Sequence, residues 1–403
     1  MKKSMIVAAM LAMVATGANA KSATDSATIA KNKPVFTVVK QNPITSIKDQ
    51  NRSGTCWAYS TLSYFESEIL KHTGKTYDLS EMFVANKTYM DRATMAVRMH
   101  GDVSFSQGGS AYDVLYALQH YGIVPEGAMP APGTLTGDSL ANFGEFFDVM
   151  TPYVEAVAKS NAKKISSAWK SGLQGIIDSY IGKTPEKFTY QGKQYTPQSF
   201  CQSLGLNLDD YVTITSYTHH PMWSKFAVEV QDNWRWPLSY NVPMDDLCKI
   251  IDNAINNGYT VAWGGDVTED GFTRKGLGIA YDVKKVRSMA GTDADHWFKL
   301  SKDEKKEKFD SLGVNAPEVT PTQAMRQEAF DNWETTDDHG MHIYGIAKDQ
   351  NGKEYYMVKN SWGEYGDYKG TWYMTKAFVA YKTMDFMVNK NAIPKDIRKK
   401  LGI

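Results

Sequence analysis

Three side chains of different chemistry, far apart along the chain, could do work together: a thiol, an imidazole and an amide. The thiol is Cys56, in Asp49-Gln50-Asn51-Arg52-Ser53-Gly54-Thr55-Cys56-Trp57-Ala58. There a glycine turn runs into a helix, and unpaired N–H groups and the dipole at a helix start favour a thiolate. Alone this would mean little, since free cysteine is among the most buried residue types. An imidazole close by is what holds and uses a nucleophilic sulfur near neutral pH.

The imidazole and the amide come from one hairpin. Residues 337–347, with His339 and His342, read as a strand. Lys348-Asp349-Gln350-Asn351-Gly352-Lys353 reads as a turn, because Asn-Gly is a strong hairpin signal. Glu354-Tyr355-Tyr356-Met357-Val358-Lys359 is the return strand, followed by Asn360-Ser361-Trp362-Gly363. Folding about residues 350–352 brings His339 opposite residues 360–364 and makes His339 and Asn360 cross-strand neighbours, to within a slip in register. The Asn360 carbonyl can then accept from one ring N–H, leaving the other ring nitrogen for a thiol, and Trp362 can shield that bond. His342 competes with His339; three positions on, it points to the other face of the strand. The spacing favours His339 without settling it.

The elements that must position these groups are legible in part. Ala58, Leu62, Phe65 and Ile69 form one apolar stripe of a helix over residues 56–71. Ser53 and Thr55 offer capping oxygens, Gly54 a tight entry turn and Gly74 an exit.

The remaining signals bound the answer. The 403 residues carry 45 basic and 45 acidic side chains, so nothing electrostatic points to nucleic acid or an anionic membrane. Lys2-Lys3, an apolar run over residues 5–16 and Ala18-Asn19-Ala20 read as a secretory signal peptide cut after Ala20. The mature chain is then periplasmic or secreted, with no membrane insertion. Export permits disulfides, yet there are only three cysteines, so at least one thiol is free; Cys201 and Cys248 read as structural, with a bridge between them open. No cysteine pair has zinc spacing, and His219-His220 and Asp293-x-Asp295-His296 read as surface groups. No metal and no cofactor is expected.

These motifs resemble the papain-like cysteine peptidases, and more closely their bleomycin hydrolase/aminopeptidase C branch. The likeness rests on Gln50 to Trp57 (Gln-x5-Cys-Trp), Asp338-His339-Gly340-Met341 and Lys359-Asn360-Ser361-Trp362-Gly363. Cys-His-Asn is the papain-like variant of the serine triad, so the roles are carried over. The resemblance implies Cys56 as nucleophile, His339 as general acid/base, Asn360 as its orienter and Gln50 in the oxyanion hole. It also implies substrate contacts at Gly108, Gly109, Asp338 and Trp362. The family's histidine precedes a small residue, as His339 precedes Gly340, which selects His339 over His342. Gln107-Gly108-Gly109 and Tyr121-Gly122-Ile123-Val124-Pro125 are similar to the stretch lining the unprimed cleft, and residues 260–267 to a strand of the branch.

The expected fold class is α+β, in two papain-like lobes. Residues 1–20 are the leader, 21–40 a lead-in and 41–135 a helical lobe with the nucleophile. Residues 136–205 form a helical insertion. Residues 206–279 and 320–394 build a curved antiparallel sheet lobe, interrupted by a charged helical insertion at 280–319. Residues 395–403 are a short basic tail. The family implies a peptide or protein substrate and a hexameric ring. In better-known members a longer C-terminal arm enters the cleft and restricts it to substrate N-termini. The shorter tail here leaves both aminopeptidase and endopeptidase action open. Rival readings are an amidase or acyltransferase with the same site, and an exported peptide-binding module.

Overall fold

The computed structural model describes residues 32–132, 140–285, 301, 304, 309 and 311–403. The expected leader, Asp293-x-Asp295-His296 and most of the expected charged insertion lie outside them. In chain order the main elements begin with β1 (Thr37–Gln41), α1 (Cys56–Thr73), α2 (Glu81–Arg98), α3 (Ala111–His120), α4 (Gly144–Ala158) and α5 (Ala168–Tyr180). Then come β2 (Phe188–Tyr190), β3 (Lys193–Tyr195), α6 (Pro197–Ser203), β4 (Tyr211–Thr215), β5 (Lys225–Phe226), β6 (Ser239–Asn241), α7 (Met244–Asn256), β7 (Val261–Gly265), β8 (Phe272–Thr273) and β9 (Leu277–Gly278). The chain closes with α8 (Gln323–Asp331), β10 (His339–Lys348), β11 (Glu354–Lys359), β12 (Thr371–Thr375), α9 (Lys376–Lys382), β13 (Thr383–Asn389) and α10 (Lys395–Leu401).

One large sheet has the order β5-β6-β4-β13-β7-β10-β11-β12-β9-β8, with β1 added to β10. It is mixed rather than the expected antiparallel sheet, because β4 pairs with β6 and β12 with β9 in parallel. Strand β10 is the hub: β7 pairs with its first half, β1 with its second, and β11 along the other edge. So residues 37–40, the end of the expected lead-in, belong to the sheet.

Helix α1 differs from the amphipathic helix expected. Every residue from Trp57 to Ile69 is buried, so the helix is enclosed on all sides and its polar groups need partners. Glu66 finds them in Thr45 Oγ1 and the Leu79 amide. The cap differs too. Thr55 occupies the N-cap but makes no side-chain cap bond; Ser53 Oγ instead binds the Gln50 carbonyl.

The insertion at 136–205 is less separate than the sequence suggested. Phe146, Met150, Val154, Leu173 and Ile177 join the apolar core of α1–α3, and a β2–β3 hairpin accompanies the helices. A second core lies between the sheet and α7; α10 buries Ile397 and Leu401 there. The tail is thus a docked helix. Cys56, Cys201 and Cys248 are all free, so no Cys201–Cys248 bridge exists.

Candidate active site

Where α1 begins, it meets the start of β10. The approach requires Gly340: a Cβ there would lie 2.7 Å from Ser60 Oγ and 3.3 Å from the Cys56 carbonyl oxygen. This puts Cys56 beside the strand that carries His339. A cleft of about 380 Å³ opens at this junction, and Gln50, Cys56, Gly108, Gly109, Asp338, His339 and Trp362 all line it. Asn360 sits behind His339, almost fully buried.

The hairpin turn forms between Lys348 and Glu354, but the β10–β11 ladder ends at His342 and Lys359. His339 is paired across the sheet to Gly265 of β7, not to Asn360. The side chains still meet. His339 Nε2–H donates to Asn360 Oδ1 at 2.8 Å. That oxygen also accepts the Ser361 amide at 2.8 Å. The His339 tautomer is thereby set, and Nδ1 is left for the cleft. Trp362 lies over the ring, with centroids 5.0 Å apart, and is held edge-on by Trp372. His342 points elsewhere. Its Nδ1 meets Ser63 Oγ at 2.9 Å, buried in the contact between α1 and the sheet.

Gln50 is tied to the loop after Asn360. Its amide donates to the Ser361 carbonyl, and Gly363 returns a bond to Lys48. Gln50 Oε1 accepts from Ser361 Oγ at 2.6 Å and Nε2 donates to the Ser53 carbonyl at 2.7 Å. The side chain is therefore fixed at the cleft edge.

Gly108 and Gly109 are also required by the packing of the protein itself. A Cβ on Gly108 would fall 1.8 Å from Asp232 Oδ2, and one on Gly109 2.9 Å from the Trp57 ring. The protein itself fills the space that their missing side chains leave. Gln107 anchors this loop, accepting the Gly54 amide at Oε1 (2.7 Å) and the Trp57 indole N–H at its carbonyl (3.1 Å). Asp338 spends one oxygen on the Val267 amide at 2.9 Å, which holds the turn before β10.

Burial governs the electrostatics. It pushes the Cys56 thiol up to about 12, against the Gly340 and Trp57 backbone amides, while Asp337 and Asp232 push the same way. It lowers the His339 imidazole to about 4, with the Asn360 bond opposing. Each charge alone is disfavoured. Moving the proton from sulfur to ring creates both at once, and their attraction in a low-dielectric site offsets much of the cost.

Several cleft residues were not foreseen. Asp232, Asn233 and Asp385 enter from loop 228–236 and β13, brought in by tertiary folding alone. Asp337 stands two residues before His339, where its position could have flagged it. Behind the cleft, buried Arg92 donates Nη1 to the Gly108 carbonyl at 2.6 Å and pairs with Asp232 at 3.1 Å. On the surface His219 and His220 both meet Glu229, at 3.0 and 2.8 Å.

Comparison with known proteins gives the family. Residues 2–402 match the model of the Peptidase C1-like family. Aminopeptidase G of Lactobacillus delbrueckii subsp. lactis is 23% identical, covering 89% of this chain and 84% of its own. Aminopeptidase C of Lactobacillus helveticus is 24% identical, over 90% and 85%, and human bleomycin hydrolase 21%, over 92% and 86%. The crystal structure of PepW from Lactobacillus rhamnosis HN001 superposes with a TM-score of 0.67 at 19% identity, covering 94% of this chain and 86% of that one. The chain belongs to the Peptidase C1-like family, and with this fold it is a papain-like cysteine peptidase.

Proposed function

We propose that this peptidase cleaves peptide bonds through a thioester on Cys56. The observation that carries the reading is the His339–Asn360 hydrogen bond, which leaves one ring nitrogen facing the cleft that also holds the sulfur. His339 Nδ1 takes the Cys56 proton as the sulfur bonds to the substrate carbonyl carbon. The oxyanion forms near the Cys56 amide and the Gln50 side-chain amide. The intermediate collapses, the C–N bond breaks and His339 protonates the departing amine. Water then attacks the thioester and gives a proton to His339. The C–S bond breaks, and the thiol recovers its proton. Asn360 keeps the ring in the productive tautomer throughout.

The aminopeptidases among the relatives support action at peptide N-termini. Yet α10 is packed in the second core and none of its described residues lines the cleft, which supports internal cleavage as well. Digesting a peptide library and its N-acetylated twin separates the two. Cleavage of both is expected; products from the free library alone would restrict the enzyme to N-termini.

The Cys56–His339 pair should titrate as a unit. Burial lowers the imidazole to about 4, so the ring serves as base above that pH and loses the role as it protonates below. Alkylation of Cys56 by iodoacetamide is expected to rise through about pH 4 and then level off. In His339→Ala this acid limb should vanish, with reactivity climbing only at alkaline pH. An unchanged profile in the variant would remove His339 from the pair.

A further inference from the structure

The cleft wall beside Gly108 holds more carboxyl groups than its surroundings pair. Asp232, Asp337, Asp338 and Asp385 all line the cavity that holds Cys56, while no Lys or Arg among the described residues does. Two of the four are already satisfied. Asp232 pairs with Arg92 and accepts from Ser106 Oγ; Asp338 accepts the Val267 amide. Asp385 accepts one side-chain hydrogen bond among the described residues, from Ser239 Oγ at 3.3 Å. Asp337 has no hydrogen bond or ion pair among the described residues, and it faces three other carboxylates. Burial and those neighbours hold its carboxyl well above the usual range.

The sheet sets the spacing. Gly264 of β7 pairs with Gly340 on one side and Asp385 on the other. Asp385 therefore stands two strand spacings, roughly 10 Å, from the glycine beside His339. Gly264 has no side chain to obstruct the floor between them. Beyond Asp337 the cleft continues into a second cavity of about 740 Å³, which shares Asp232 and Asp337 and adds Glu229, Asp331 and Trp333. No Lys or Arg among the described residues lines that cavity either. Trp333 is 83% exposed, an aromatic face of the kind that receives cations.

We propose that Asp337 and Asp385 determine specificity, acting as the counter-charge for an ammonium or guanidinium group of the peptide on the Gly108 side of the cleft. The group is either the free α-amine of the substrate or a Lys or Arg side chain beside the cleaved bond. This rests on the peptidase reading above. Its physical basis is that crowded carboxylates in a partly buried wall lose repulsion when a cation arrives. The same cation would offset the Asp337 and Asp232 charges felt at the Cys56 sulfur, so chemistry gains as well as binding.

Two pairs of fluorogenic peptides test it: acetyl-Lys-Leu against acetyl-norleucine-Leu, and Gly-Leu with a free against an acetylated amine. The charged member of at least one pair is expected to have a kcat/KM about ten- to hundred-fold higher. The pair that shows it identifies the source of the cation. In Asp337→Asn/Asp385→Asn that ratio should fall towards one, and the single variants should each lower it if the double variant folds poorly. Equal rates within both pairs, or a preference that survives both substitutions, would overturn the inference. Cys56-dependent cleavage without charge preference would do so and leave the peptidase reading standing; no cleavage of any peptide would take both down.

Discussion

Cys56→Ala is expected to abolish peptide hydrolysis, by on the order of 10⁶-fold in kcat, because the nucleophile and its base act as a unit. The loss should be chemical rather than structural. Cys56 is in the first turn of α1 and lines the cleft, and alanine suits a helix better than cysteine. The unfolding midpoint should therefore stay close to wild type. Cys201 and Cys248 remain as internal controls. Burial raises the thiols of all three cysteines, so ease of ionisation does not single out Cys56; its place in the cleft that His339 also lines does. A thiol-directed epoxide is expected to label the wild-type protein once, at Cys56, and the variant not at all. Retained hydrolysis in the variant would sink the mechanism.

Arg92→Leu is the substitution expected to cost most stability. The guanidinium is completely buried and ties three segments together. It bonds the Ser104 and Gly108 carbonyls at 2.8 and 2.6 Å, and Asp232 through both terminal nitrogens. Leucine would remove this donor from the Ser104, Gly108 and Gln231 carbonyls and leave the Asp232 carboxylate without its cation. Removing one partner of a buried ion pair typically costs about 3–5 kcal/mol. Arg92→Lys should recover only part of this, because an ammonium cannot reproduce the planar fork. Activity should fall further than the folded fraction, since Gly108 and Asp232 shape the cleft wall. Urea unfolding is the check: an unchanged midpoint would show that Arg92 bears no such load.

Much of the site was legible in the sequence because its signals are local. The helix start at Cys56, the Asn-Gly turn and the strands on either side of it are short-range patterns, and the structure has each of them. The detailed register was not legible. The ladder between β10 and β11 carries an irregularity between Ile343 and Gly345, and no sequence periodicity announces where such a bulge falls. The true neighbour of His339 is Gly265, from a strand far away in sequence. The parallel pairs of the sheet escaped for the same reason.

The sequence by itself determined which chemistry the chain carries: a thiol at a helix start, an imidazole and an amide on one hairpin, and a glutamine upstream of the thiol. These depend on residue type and local backbone preference. Only the tertiary structure decided what surrounds them. It put Gly340 against α1, Asp232 over Gly108, Arg92 beneath both, and Asp385 across β7 from the histidine strand. Most of those contacts join segments far apart in the sequence, which no local pattern announces, and burial there shifts the ionisation of Cys56 and His339.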